Sequence, residues 1–443
     1  MANNSIGDRK IYIIYIPIIL IILLGFLYSQ VPDTLWTKTY GGADDDWGYS
    51  VKQTTDGGFI IGGYTNSFGS DHGYLIKTDS NGDTLWTRTY SGLIASVLQT
   101  YDGGYIFVGT TGYVYAVVRT DSLGDTLWTR RFTPGDYSSR PEEIQPTFDS
   151  CYIIVGTAVD TMYPWDFFYN IFLAKIDDDG NTFWTKEYGS FYEFGYSVQQ
   201  TCDSGYIVAG RWFIPSYLMK TDWLGDSLWL KSYPEGHLFS VRETSDGGFV
   251  SVGDISWPFD IFVIRTDYLG DTLWTKRFGE SANDVGHCIR KTPDGGYVIT
   301  GYTASFGAGG NDVYLLKIRD SGDTLWTRTY GGTESDIGYE LEITSDSGYI
   351  IAGYTGSYGA GSKDVWLLKI APDTFAVKEA KSNVITNHAF GASIIKGPLV
   401  LPENKNCKVF DITGRVVAPD KIQPGIYFIE IDGKITQKVV KVR

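Results

Sequence analysis

Cysteine, histidine and methionine are scarce in this chain, at 4, 4 and 3 among 443 residues. Cys151, Cys202, Cys288 and Cys407 stand far apart, so there is no CxxC pair for zinc or thiol exchange and no disulfide framework of the small secreted kind. Four scattered histidines offer few bases for nucleophilic catalysis, and no G-x-S-x-G elbow, H-E-x-x-H motif or EF-hand loop occurs. A helical period is missing from the body of the chain. Positive charge is short as well. Against 52 Asp and Glu stand 37 Lys and Arg, a net charge of -15, which argues against nucleic acid as a partner. What is plentiful is glycine (53) and aromatic residues (13 Trp, 32 Tyr, 23 Phe), within a 43% hydrophobic and 20% charged composition that can build a sizeable core.

Residues 1–10 are polar and end in Arg9-Lys10, and residues 11–28 are apolar apart from Pro17 and Gly25. A basic segment before an apolar one is the layout of an export signal, and this one is long enough to act as a membrane anchor if it is not cleaved. Either outcome predicts a protein that is secreted or held at the cell surface, with the membrane touched only through 11–28. No cysteine lies near residue 30, which leaves lipoprotein acylation unsupported.

An internal repeat dominates the rest. A D-T-L-W-like tetrapeptide places tryptophans at Trp36, Trp86, Trp128, Trp184, Trp229, Trp274 and Trp326, and a turn aspartate followed by two small residues recurs at Asp56, Asp102, Asp149, Asp203, Asp246, Asp294 and Asp346. Each unit contains four short runs rich in Val, Ile, Thr, Tyr and Trp. In the sixth they are 286–292, 296–303, 313–318 and 323–330, bounded by Gly and Asp. Asp-Gly-Gly or Asp-Ser-Gly joins the first two as a hairpin, and Asp-x-x-Gly suits a type I turn between the third and fourth, with Arg319 replacing the aspartate in the sixth unit. Longer connections join the second run to the third and the fourth to the next unit. Seven units of four antiparallel strands describe an all-β, seven-bladed propeller over residues 31–376. A lone outer-strand copy at 33–40 precedes the first complete unit, and 373–376 is a decayed copy without tryptophan. The expectation is that 33–40 closes the ring as the outermost strand of the last blade.

Cations recur in the third strands (Lys77, Arg119, Lys175, Lys220, Arg265, Lys317, Lys369) and two residues after each tryptophan (Lys38, Arg88, Arg130, Lys186, Lys231, Lys276, Arg328). Seven equivalent copies suit packing between blades, with long stems over aromatic faces, better than a ligand ring. The element Thr78-Asp79-Ser80-Asn81-Gly82-Asp83-Thr84-Leu85-Trp86 resembles the tryptophan-docking repeat of PQQ-like propellers, with a turn one residue shorter. The resemblance concerns the scaffold. Quinone-dependent members of that family have eight blades, a vicinal cysteine pair and calcium-bound quinone, whereas this chain has seven units and separate cysteines. Cys151 and Cys202 fall in equivalent turns of consecutive units, either as a disulfide or as free thiols.

After residue 376 the repeat stops, and 377–443 carries 11 Lys or Arg against 6 Asp or Glu. Strand runs at 393–400, 407–412, 415–417, 425–431 and 435–442 predict a small immunoglobulin-like β-sandwich. Val409-Phe410-Asp411-Ile412-Thr413-Gly414-Arg415-Val416-Val417, then Pro424-Gly425-Ile426-Tyr427-Phe428, then Lys438-Val439-Val440-Lys441-Val442-Arg443 resemble the type A carboxyl-terminal sorting domain of the type IX secretion system. Asn387-His388-Ala389-Phe390 departs from that family's Asn-Pro opening. The resemblance implies an export signal read by outer-membrane machinery through Asp411, Gly414, Arg415, Gly425, Tyr427, Lys441 and Arg443.

For chemistry, the long loops on the rim opposite the tight turns are the place to look. Trp47, His72, Trp165, Asp166, Asp284 and His287 fall there, and 162–169 is unusually aromatic. Asp44, Asp45 and Asp46 are the one acidic cluster that could take a structural calcium; no other cofactor is expected. The sequence therefore predicts an exported binding module for an extracellular glycan or protein, exported by a type IX-like route. The alternative is a secreted carbohydrate-active enzyme using two opposed carboxylates on the long-loop face.

Overall fold

The computed structural model describes residues 31–373, except 70–71, 112–113, 135–138, 164–165, 190–191, 213–214, 235 and 256–258, together with parts of 393–441. The chain divides into two compact units, Met1–Val377 and Lys378–Arg443. The apolar segment 11–28, Trp165, Gly414 and Arg443 lie outside the described residues.

The first unit is a seven-bladed β-propeller of seven antiparallel four-stranded sheets. Blade 1 spans 46–91, blade 2 93–132, blade 3 140–188, blade 4 194–233, blade 5 237–278 and blade 6 284–330. Blade 7 takes Asp336–Ile343, Tyr349–Thr355 and Asp364–Ile370 from the end of the repeat and its fourth strand, Thr34–Tyr40, from the beginning. The ring is thus closed by hydrogen bonds between chain segments more than 300 residues apart, as the lone outer-strand copy predicts. The first strand of each blade touches the first strands of both neighbours around the whole ring, so these strands surround the axis.

The hydrophobic core is divided among the joints between blades. Seven apolar clusters occupy seven joints; at the 7/1 joint, for example, Val51, Phe59, Ile61, Tyr74 and Ile76 pack on Ile350, Ala352, Val365 and Leu367. Burial on both faces explains why the second and third strands read as nearly continuous apolar runs, and why one unit cannot be stable without neighbours.

The repeated polar residues knit each blade together. Every third-strand cation reaches back to the aspartate in its own blade's first turn: Lys77 to Asp56 at 2.9 Å, Arg119 to Asp102 at 2.6 Å, Lys175 to Asp149 at 2.6 Å, Lys220 to Asp203 at 2.9 Å. The same pair closes Arg265 on Asp246 at 2.6 Å, Lys317 on Asp294 at 2.9 Å and Lys369 on Asp346 at 2.9 Å. The second set of cations works between blades, with Lys38 on Asp83 at 2.7 Å and Lys186 on Asp226 at 2.6 Å. The tryptophans do likewise. A Cβ on Gly82, Gly124, Gly180, Gly225 or Gly270 would stand 3.0 Å or less from the indole of the preceding blade, so each ring rests on the next blade's turn glycine.

All four cysteines are free; Cys151 is buried and Cys202 exposed. No helix among the described residues is long and apolar enough to cross a membrane. In the second unit a four-stranded sheet has the order Ser393–Ile395, Lys434–Lys441, Gly425–Ile431, Cys407–Asp411, with the first pair parallel. Val409, Ile422 and Tyr427 form its small core.

Candidate functional site

The site is built by one irregularity repeated seven times. In every first strand the pairing with the second strand skips one residue, between Gly48/Ser50, Ile94/Ser96, Pro141/Glu143, Gly195/Ser197, Leu238/Ser240, Gly286/Cys288 and Gly338/Glu340. A bulge of this kind re-aims the side chain it skips. The skipped residues are Tyr49, Ala95, Glu142, Tyr196, Phe239, His287 and Tyr339. They lie nearer the long-loop rim than the tight-turn rim, because the strand still has to run on to its turn.

Five of them form an aromatic crescent. Ring centroids are 5.2 Å apart for Tyr196 and Phe239, 5.9 Å for Phe239 and His287, 5.0 Å for His287 and Tyr339, and 5.2 Å for Tyr339 and Tyr49. His287 and Tyr339 are stacked within 7° of parallel. The crescent opens at blades 2 and 3, where Ala95 leaves space and Glu142 supplies a carboxylate. Arg140 Nε lies 3.1 Å from Glu142, and Arg140 also acts electrostatically on Tyr49, Tyr196 and Tyr339 from three other blades. These groups come from the first strands of blades 1, 3, 4 and 7, which surround the axis, and we call their shared region the mouth of the axial channel.

Burial sets the charge states here. It pushes the Glu142 carboxyl up to about 7, against the opposing pull of Arg140 and Arg211. It pushes the His287 imidazole down to about 4, so that ring is a neutral stacking surface at physiological pH. Tyr196 is raised to about 12, also by burial first. Arg211 lies 4.6 Å over the Phe194 ring, which stacks on Tyr196 within blade 4.

One layer further along the channel the polar groups are hydrogen-bonded, apart from Oε2 of Glu342. Ser50, Ser197 and Ser240 accept the backbone amides of Val97, Val241 and Ile289 in the next blade, and Glu143 and Glu340 accept those of Val198 and Val51. Beyond them Arg290 pairs with Glu340 at 2.7 Å and Arg242 with Glu143 at 3.3 Å, while Lys52 bonds Glu340 and lies 3.5 Å from Glu342. Burial opposes the charge on Glu340, but Lys52 and Arg290 overcome it and hold the carboxyl down to about 2. This layer sets three acids, Glu143, Glu340 and Glu342, against three bases, Lys52, Arg242 and Arg290.

The sequence candidates divide. His287 is part of the crescent, and Trp47 joins it through Tyr354, with rings 6.5 Å apart for Trp47 and Tyr354 and 6.1 Å for Tyr354 and Tyr339. His72 opens the third strand of blade 1, beside Gly69. Asp166 begins a strand of blade 3. Asp44, Asp45 and Asp46 diverge: Asp44 is exposed, Asp45 bonds Ser362, and Asp46 is fully buried. Asp284 is fully buried in the equivalent place in blade 6. In the second unit, Asp411 pairs with Tyr427 and Gly425 with Lys441 in the sheet, and Arg415 is exposed. Arg140, Glu142, Arg211, Tyr49, Tyr196, Phe239 and Tyr339 were missed. All but Arg211, which ends the second strand of blade 4, share a place in the first strand of a unit, and that place is their one sequence signal.

No family model matches the sequence, and no curated protein sequence matches it. Solved structures do match the fold. The WD40 repeats of RRP9 superpose with a TM-score of 0.53 at 9% identity, covering 77% of this chain and 99% of that one. U3-55K gives a TM-score of 0.53 at 10% identity, covering 76% and 100%. A catalytically inactive virginiamycin B lyase from Staphylococcus aureus with quinupristin gives 0.47 at 12% identity, covering 75% and 99%. At these identities the likeness concerns the fold alone: the chain is a seven-bladed β-propeller.

Proposed function

We propose that this protein is an exported binding module that takes an extracellular glycan or an extended peptide on the crescent at the mouth of its axial channel. The observation that carries the reading is the arc of five bulge rings facing Glu142 and Arg140. Flat aromatic faces bind sugar rings and peptide side chains by stacking, and a carboxylate beside a guanidinium fixes hydroxyls or amides by hydrogen bonds. Residues 1–30 serve as export signal or anchor, and 377–443 as a type A sorting domain read by type IX-like machinery. The abrupt change to a basic, tryptophan-free sequence and the three ordered motifs support that second assignment.

The test is a glycan and peptide array probed with the exported protein. Tyr196→Ala and Tyr339→Ala are each expected to weaken the best ligand about tenfold or more, on the order of one stacking contact; an unchanged affinity in both rejects the mouth as the site. Deleting 377–443 is expected to keep the protein from appearing outside the cell, and normal appearance there rejects the sorting role. A second reading, a secreted carbohydrate-active enzyme, rests on the Glu142 carboxyl raised to about 7, a value suited to a general acid. It requires a second acid across the mouth. Asp254, which acts electrostatically on Tyr196 and His287, is the candidate, and turnover in a hydrolysis screen that Glu142→Gln abolishes would favour this reading.

A further inference from the structure

Three adjacent joints hold paired aspartates. At the 7/1 joint a Cβ on Gly41 would stand 2.3 Å from an Asp46 oxygen and 2.4 Å from an Asp364 oxygen, so both carboxylates converge on one small space. Gly279 marks the same convergence of Asp284 (2.4 Å) and Asp260 (2.5 Å) at the 5/6 joint, and Gly331 that of Asp336 (2.7 Å) and Asp312 (2.0 Å) at the 6/7 joint. Asp46, Asp284 and Asp336 are 0% exposed, Asp312 1% and Asp364 2%.

One oxygen of each inner carboxylate is saturated by its loops. Asp46 Oδ2 accepts from Gly42 N at 2.9 Å and Ser67 Oγ at 2.7 Å, and Asp336 Oδ2 from Gly332 N at 2.9 Å and Ser357 Oγ at 2.7 Å. Asp284 Oδ2 accepts from Glu280 N at 3.1 Å and Ser305 Oγ at 2.6 Å. The other oxygen, Oδ1 of Asp46, of Asp284 and of Asp336, is buried with no partner, and so is Oδ1 of Asp260. Burial raises the Asp260 carboxyl, with Asp284 adding to it and Arg277 opposing it electrostatically. A buried carboxylate oxygen without a donor is costly, and two together are more so. At three of the other four joints both acids are lost together: the equivalent positions are His72 and Gly92 at the 1/2 joint, Val114 and Ser139 at 2/3, and Pro215 and Gly236 at 4/5. The 3/4 joint has Asn170 and Glu193.

We propose that the Asp46/Asp364, Asp260/Asp284 and Asp312/Asp336 pairs each bind a calcium ion that staples blade 7 to 1, 5 to 6 and 6 to 7. Calcium takes six to eight hard oxygens and accepts carboxylates, backbone carbonyls and water in irregular geometry, so two carboxylates from facing strands suffice as the charged core of a site. Loop carbonyls are at hand: those of Gly42 and Asp44 crowd Gly361, at 2.7 and 2.6 Å from where its Cβ would be. The three joints flank blades 6 and 7, so the ions would secure the stretch of ring that includes its closure by Thr34–Tyr40.

The experiment uses the full exported protein, stripped with EGTA and dialysed against calcium chloride. About three ions per chain are expected, with Tm rising roughly 5 °C in millimolar calcium and falling again on chelation. Asp284→Asn is expected to lower the count to about two. No retained calcium, or a Tm indifferent to both calcium and EGTA, overturns the proposal, and these wild-type measurements decide it even where a variant does not fold. A Tm that ignores calcium but falls between pH 5 and 8 would show that the pairs share a proton instead.

Discussion

The seven turn aspartates and third-strand cations make an unequal partnership, and the inequality can be measured in blade 1. Lys77 Nζ lies 2.9 Å from Asp56 Oδ2 and 3.1 Å from Oδ1, and donates to Thr78 O at 2.7 Å. The lysine side chain is 4% exposed and the aspartate side chain 55%. Asp56→Ala therefore strands a buried ammonium with one carbonyl for company. Breaking a fully buried pair costs about 3–5 kcal/mol, and discounting for the solvated aspartate leaves roughly 2–4. Lys77→Met removes the buried charge, fills the same slot with apolar atoms and leaves Asp56 hydrated, for about 1 kcal/mol or less. The double variant should cost little more than Lys77→Met, with about 1 kcal/mol added for the hydrogen bonds that Thr54 and Gly58 give Asp56. Urea unfolding followed by tryptophan fluorescence supplies the cycle. Equal costs for the two single variants, or a larger cost for Lys77→Met, would refute the idea that the aspartate exists to neutralise a buried cation.

Other expectations concern turns and titration. Gly180→Ala must push aside a Trp128 ring atom at 2.8 Å and sits at φ +77°, whereas Gly57→Ala at φ +83° meets open space; urea midpoints should show the first costing about 2 kcal/mol more than the second. Ser347 occupies φ 65° where four units have glycine and two others, at Ser150 and Ser204, also have serine, so Ser347→Gly should raise stability by about 1 kcal/mol. Burial opposes the charge of Asp56 and Asp246, but turn threonines and third-strand cations overcome it and hold both down to about 2. Folded values below the ordinary 3.8 mean that this stability is complete above about pH 4 and lost as pH falls toward 2, which an acid titration by circular dichroism should show as a cooperative loss of sheet. Glu142 runs the other way. Its folded value near 7 exceeds the ordinary 4.5, so its contribution is present at low pH and lost as pH rises to 7, and Glu142→Gln should flatten Tm between pH 5 and 7.

The fold was legible because it is written seven times. Period, hairpin glycines and strand composition all point to the same blade, and the surplus strand at 33–40 forecast the closure that Thr34–Tyr40 makes with Asp364–Ile370. Packing between blades for the cations following the tryptophans was legible too; the third-strand set pairs first with the turn aspartate of its own blade, and Arg119, Arg265 and Lys317 also reach across a joint, to Asp178, Asp320 and Asp373. The mouth was not legible, for a physical reason. Alternation along a strand assigns faces by counting in twos, and a bulge breaks the count at the residue that matters, so Tyr49 or Glu142 cannot be placed from its neighbours. The aspartate pairs were hidden by distance, since Asp46 and Asp364 meet only when the ring closes. Read in sequence, Asp46 belongs to a run with Asp44 and Asp45; in space its partner is at the far end of the repeat.

Within the ring, regularity and capacity for binding fall on different blades. Blades 6, 7 and 1 keep the same loops, Ser67-Phe68-Gly69, Ser305-Phe306-Gly307 and Ser357-Tyr358-Gly359, and at the mouth they supply only rings, from His287, Tyr339 and Tyr49. Blades 2, 3 and 4 have departed from those loops, and they supply the exceptions: the gap at Ala95, the acid Glu142, and the cations Arg140 and Arg211. A residue repeated in every blade can be explained by what every blade needs, which is to hold its turn and meet its neighbour. A residue found in one blade alone cannot. Arg140 stands where Trp47 and Phe194 stand in blades 1 and 4, and a guanidinium there neither fills a joint nor completes a turn. The proposed binding role gives it a reason to be there, beside the one bulge position that carries a carboxylate.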